Sequence, residues 1–168
     1  MQSAECLRRV RPLVRERVPA ELREFQWESY SFQSKLWYGN KALHYEVWPR
    51  EKLGTIEIGL HFEADPLTNA RLLAAFAANA KTVRRALVDA RVEEWDRGWA
   101  RVWQPLPYRK PDAQLAVELA ERIAAYVTAL EPILRRELPS DVAWAEPEAR
   151  PARPRAAAKT RTSRAVRR

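Results

Sequence analysis

The chain has 168 residues, of which 46% are hydrophobic, with 30 Lys+Arg against 22 Asp+Glu for a net charge of +8. That length fits one domain with a core large enough to fold without a metal or a disulfide, and the single cysteine, Cys6, excludes an internal bridge. No apolar run approaches the roughly 18 residues of a spanning helix, and residues 1–10 carry Glu5, Arg8 and Arg9 without a secretory apolar core, so a soluble, cytoplasmic protein is expected.

Leu7, Val10, Val14 and Val18 recur at helical spacing, which predicts an amphipathic helix over 3–17. Pro12 is expected to kink or split it, and Pro19 to open a short turn through Phe25. Residues 30–38 alternate Tyr30, Phe32, Leu36 and Tyr38 with polar neighbours, a strand pattern. Gly39-Asn40 reads as a two-residue hairpin turn. A second strand then covers 42–48, a turn 49–54, and a third strand 55–63, with Ile56, Ile58, Leu60 and Phe62 on one face.

Asp65-Pro66 supplies an N-cap and a first-turn proline for a helix reaching about Ala90. Strands at 92–95 and 99–104 flank Asp96-Arg97-Gly98, and Pro105, Pro107 and Pro111 predict an extended connector. A last helix is expected over 111–138, bent near Glu131 by Pro132. The order is α-β-β-β-α-β-β-α, an α+β fold with a largely antiparallel sheet of about five strands. Residues 1–140 form the expected globular domain, and 141–168 a disordered, Arg/Ala/Pro-rich basic segment that lacks the apolar residues to pack.

Strand alternation separates two faces. Gln33, Lys35, Trp37, His44, Glu46, Trp48, Glu57, His61 and Glu63 share the polar one. With the turns above, Leu36 faces Leu43, Lys35 faces His44, Val47 faces Ile56 and Glu46 faces Glu57. That register leaves His44 opposite Gly59 and diagonal to His61, too far apart to share an ion, so no metal site and no cofactor are expected. In the second hairpin Trp95 pairs with Trp99, Glu93 with Arg101 and Arg91 with Trp103, a cluster suited to cation–π contacts. Helices are expected over both faces; an open tryptophan face is the alternative.

The opening element order is similar to the core of restriction-endonuclease-like nucleases. That resemblance implies an acid on the second strand and acid-x-Lys on the third, to hold Mg²⁺ and orient water. Glu46 stands for the first acid, and the third strand reads Glu57-Ile58-Gly59, with glycine in the lysine position. The nucleophile elbow, phosphate-binding loop and dinucleotide fingerprint are absent.

The last twenty residues hold Arg150, Arg153, Arg155, Lys159, Arg161, Arg164, Arg167 and Arg168 and no acid, which leaves the preceding 148 residues neutral. Such a segment attracts polyanions without sequence choice. The expected function is therefore a non-enzymatic, nucleic-acid-associated protein. Arg153, Arg155, Lys159, Arg161, Arg164, Arg167 and Arg168 would contact phosphates, while Trp95, Trp99, Arg101 and Trp103 would stack on bases. An acidic protein is the other expected partner for the tail. A protein-interaction adaptor, homodimeric through the tryptophan face, and a metal-dependent or degenerate nuclease-like hydrolase are the alternatives. No membrane partner is expected, because the tail lacks bulky apolar anchors.

Overall fold

The computed structural model describes residues 1–138. Helix α1 (Ser3–Arg17) leads through a 3-10 turn to a six-stranded sheet: β1 (Gln26–Ser29), β2 (Ser34–Trp37), β3 (Leu43–Arg50), β4 (Thr55–Phe62), β5 (Arg91–Glu94) and β6 (Ala100–Pro107). Helices α2 (Pro66–Ala78) and α3 (Ala80–Ala86) connect β4 to β5, and α4 (Ala113–Glu137) follows β6. The spatial order is β1-β2-β3-β4-β6-β5 and every neighbouring pair is antiparallel. This is the expected α+β class with one strand more than expected. No helix among the described residues is long and apolar enough to cross a membrane. The expected boundary after residue 140 and the basic segment 141–168 lie outside the described residues.

The apolar stripes of α2 and α4 meet the apolar face of the sheet, and α1 packs mainly along α4. Phe62 on β4 packs its ring 5.3 Å from that of Phe76 on α2. On α4, Tyr126 donates to Gln104 Oε1 of β6 at 3.2 Å. Glu131, only 2% exposed, accepts from the Tyr45 hydroxyl at 2.9 Å and from Arg135 Nε at 3.0 Å. A buried carboxylate is tolerable only when its lone pairs are used in this way.

Several expected boundaries shift for local reasons. The alternation through Tyr30 and Phe32 belongs to a hairpin tip, closed by Tyr30 N–H donating to Gln33 O at 2.8 Å. Both rings are exposed there, 42% and 53%, and stack on each other at 6.0 Å. Of the strand expected over 30–38 only Ser34–Trp37 forms, and its partner β1 (Gln26–Ser29) lies before it, in a stretch the alternation does not mark as a strand. The helix expected from Pro66 to Ala90 breaks at Asn79, whose side-chain amide donates to Ala75 O at 2.8 Å and competes with the backbone ladder. Pro12 and Pro132 split neither α1 nor α4.

Pro49, Pro105 and Pro107 lie inside strands rather than in a turn or connector. β2 ends opposite Val47, and β5 ends opposite Trp103. Beyond those points β3 and β6 each keep one strand neighbour, so a missing N–H can face the open side.

A candidate metal centre on the polar face

Cross-strand pairing sets the polar face in rows. One row runs Trp37, His44, His61, Arg101, Glu93, and the next Glu28, Lys35, Glu46, Gly59, Trp103, Arg91. His44 is therefore directly opposite His61, and Glu46 faces Gly59. The expected register, with His44 opposite Gly59, is corrected by two residues at each of the first two hairpins. The β2–β3 turn is longer than two residues, because Asn40 Oδ1 accepts from Ala42 N at 2.8 Å and its carbonyl accepts from Leu43 N at 3.1 Å. The β3–β4 ladder runs on through Arg50–Thr55 before Glu51–Gly54 turn the chain. A two-residue slip preserves every face, so the face was predicted correctly and the partners were not.

The consequence is chemical. The two imidazoles stack with centroids 5.6 Å apart and 12° between planes, each 1% exposed. His44 Nδ1 lies 2.9 Å from Lys41 O. A carbonyl can only accept, so that nitrogen carries the proton and Nε2 is left with a lone pair. This lone pair lies 3.4 Å from Glu46 Oε2 and 3.8 Å from Glu63 Oε1. His61 Nδ1 lies 4.0 Å from Glu63 Oε1. Neither His44 Nε2 nor His61 Nδ1 has a hydrogen-bond partner although both are buried.

Burial pushes the His44 pKa down to about 4, helped by the Lys35 ammonium, and Glu63 and the Lys41 carbonyl only partly oppose it. Burial likewise pushes His61 down to about 3, against the opposing field of Glu46. Both rings are therefore neutral near pH 7, and the His44 Nε2 lone pair faces carboxylate oxygens across the centre. A cation relieves that opposition: the Lys35 ammonium lies 3.4 Å from Glu46 Oε2 and 3.6 Å from Glu63 Oε2, and a metal ion would engage the imidazole nitrogens as well. One ligand atom from each of His44, Glu46, His61 and Glu63 lies within 4.8 Å of the others. Tetrahedral coordination at bond lengths of about 2.0–2.1 Å needs ligand atoms about 3.3 Å apart, a short contraction from here. The donor set of two imidazoles and two carboxylates suits a first-row divalent ion such as zinc.

A second polar network lies beside the first. Arg101 donates to Glu57 Oε2 at 3.2 Å and to Glu93 Oε1 at 3.0 Å from Nε and 2.7 Å from Nη2. Trp103 Nε1 donates to the same Glu93 oxygen at 2.6 Å, and Arg50 reaches Glu57 Oε1 at 2.5 Å. The Arg101 guanidinium stacks 3.7 Å from the Trp103 ring centroid and 5.0 Å from that of Trp95. Trp95 also sets its edge against His61 at 5.3 Å and tilts against Trp99 at 5.8 Å. The pairing expected in this hairpin is the one observed, and Trp95, Trp99, Arg101 and Trp103 do come together. Arg101 and Trp103 are buried, however, with their polar groups engaged inside the molecule. The helix contacts described above lie on the opposite, apolar face of the sheet. Glu57, the acid of the nuclease-like tripeptide, is held by two arginines and stands outside the histidine–glutamate cluster. The basic residues from Arg153 to Arg168 lie outside the described residues.

The chain matches no family model, no curated protein and no solved structure.

Proposed function

We propose that this protein binds one divalent transition-metal ion through His44, Glu46, His61 and Glu63, and that the ion serves structure or sensing rather than catalysis. One observation carries the reading: two neutral, buried imidazole nitrogens without partners are aimed at the carboxylates of the same cluster. Four protein ligands fill a tetrahedral shell and leave no position for water or substrate, the pattern of a closed site. The register that held the two histidines apart is replaced by one that sets them directly opposite, and that pairing supports the reading.

The test uses the full chain. Zinc at about a hundredfold above its dissociation constant adds roughly 2.7 kcal/mol of stability, raising the melting temperature by roughly 8–10 °C for a body of this size. One equivalent is expected to survive gel filtration. The variant His61→Ala should lose both effects. A wild-type melting curve that ignores zinc, with no metal retained, overturns the proposal.

A second reading is favoured by the charge distribution. The last twenty residues, with eight bases and no acids, support phosphate contacts to nucleic acid by a segment attached to a neutral body in a cytoplasmic protein. Since Arg101 and Trp103 are committed internally, affinity falls to the tail rather than to base stacking. Deleting residues 149–168 is expected to abolish binding to a mixed-sequence oligonucleotide while leaving the melting temperature unchanged. The intact chain should show a log–log salt slope no steeper than about −7. Undiminished binding after deletion would move the contacts to the body.

A further inference from the structure

We infer that Lys35 is the resident cation of this centre, a displaceable ammonium that a divalent ion must expel to enter. The inference rests on the metal-binding reading above and concerns how that site is controlled. Lys35 projects from β2 beside Glu46, its cross-strand partner. Its Nζ lies 3.4 Å from Glu46 Oε2 and 3.6 Å from Glu63 Oε2. It thus bridges the same two carboxylates that would ligate a metal. The contacts are long for ion pairs between such groups, as expected of one charge shared between two acceptors rather than seated on either.

Charge balance makes the two cations mutually exclusive. The two carboxylates offset one divalent ion. Keeping the ammonium as well would leave an uncompensated positive charge among buried groups, an expensive state. Expulsion requires a second berth, and the sheet supplies one. On its other side Lys35 is paired across strands with Glu28 of β1. The Glu28 carboxylate is partly exposed, accepts from the Tyr30 hydroxyl and the Lys41 ammonium, and already feels the Lys35 charge. Rotation of a flexible four-carbon stem carries the ammonium from the Glu46–Glu63 side to the Glu28 side and toward solvent. Lys35 itself is 16% exposed at its side chain, so the route begins at an opening rather than in the core.

Lys35 thereby sets the threshold of the site. With the ammonium in place the carboxylates are satisfied without metal; at sufficient metal concentration the same charge moves to the edge of the sheet. Zinc alone is the probe, titrated against a chromophoric chelator, with melting temperature measured in parallel in EDTA. Lys35→Met keeps the apolar stem and removes the competitor, so zinc affinity is expected to rise at least about tenfold while the metal-free protein melts lower. A merely structural lysine would not move these two readouts in opposite directions. Lys35→Arg should restore wild-type affinity within about threefold. Glu28→Gln removes the charge of the second berth and should weaken zinc binding severalfold, with its melting temperature in EDTA checking that the fold is kept. Zinc affinity that is equal or lower in Lys35→Met, in a protein whose wild type binds zinc, overturns the resident-cation role and leaves the metal centre standing. Absence of zinc binding in wild type and variants alike overturns both.

Discussion

Gly59→Ala is expected to destabilise the protein by about 3 kcal/mol, a fall of roughly 10 °C in melting temperature. Gly59 stands mid-strand on β4, facing Glu46 on one side and Trp103 on the other. A methyl group there would lie 2.5 Å from Trp103 Cβ, 2.6 Å from the Val102 carbonyl oxygen and 2.8 Å from Trp103 Cα. None of these atoms is the loose end of a side chain, so the strands themselves would have to separate. Glycine inside a strand ordinarily weakens it; here it permits β4 and β6 to approach closely beside the polar cluster. Thermal melting of the metal-free variant measures the effect, and a loss below about 1 kcal/mol would show that β4 and β6 separate at little cost.

The metal-free protein is expected to lose stability steeply between about pH 6.5 and pH 4. The sign follows from the histidines. Their folded pKa values lie near 4 for His44 and near 3 for His61, below the ordinary value of 6.5. The unfolded chain therefore takes up protons in this window that the folded chain cannot, and stability falls as pH falls. Each histidine contributes at most about 1.4 kcal/mol per pH unit, so together they remove up to roughly 5 kcal/mol between pH 6 and pH 4. That is comparable to the whole stability of many domains. Most of the loss precedes carboxylate protonation, including that of Asp65, whose hydrogen bonds from Thr68 hold it below its usual range. Equilibrium denaturation at stepped pH measures the slope. Replacing both histidines with glutamine should flatten it, and an unchanged slope would remove the histidines as its cause. Saturating zinc should move the transition to lower pH, because the ion and the protons compete for the same lone pairs.

Much of this architecture is legible in local chemistry. Ile56, Ile58, Leu60 and Phe62 announce β4, and Asp65 caps α2 by accepting from Thr68 N at 3.0 Å as its position before Pro66 predicts. The three-residue turn at Asp96-Arg97-Gly98 also fixes the β5–β6 register correctly, with Arg97 and Gly98 both at positive φ. The centre itself was less legible. His44, Glu46, His61 and Glu63 could be assigned to one face by alternation, but their pairing depended on how many residues each turn consumes. An Asx contact at Asn40 and two extra paired residues before the Glu51–Gly54 turn decided that. The paired histidines and nearby acids were the available signal, outweighed by a register wrong by one pleat. Strand β1 (Gln26–Ser29) and the hairpin tip before β2 were hidden because Tyr30 and Phe32 extend the alternation of the strand expected over 30–38 while pointing into solvent.

The sheet's outermost members bear on how copies of this molecule meet. β1 and β5 are each four residues long, reading Gln-Trp-Glu-Ser and Arg-Val-Glu-Glu. Brief borders studded with charge offer little template for another chain's backbone. Crowded molecules of this kind should therefore stay clear of strand-by-strand polymerisation into fibrils, even though β3 and β4 between them carry an apolar face that would invite it if laid bare.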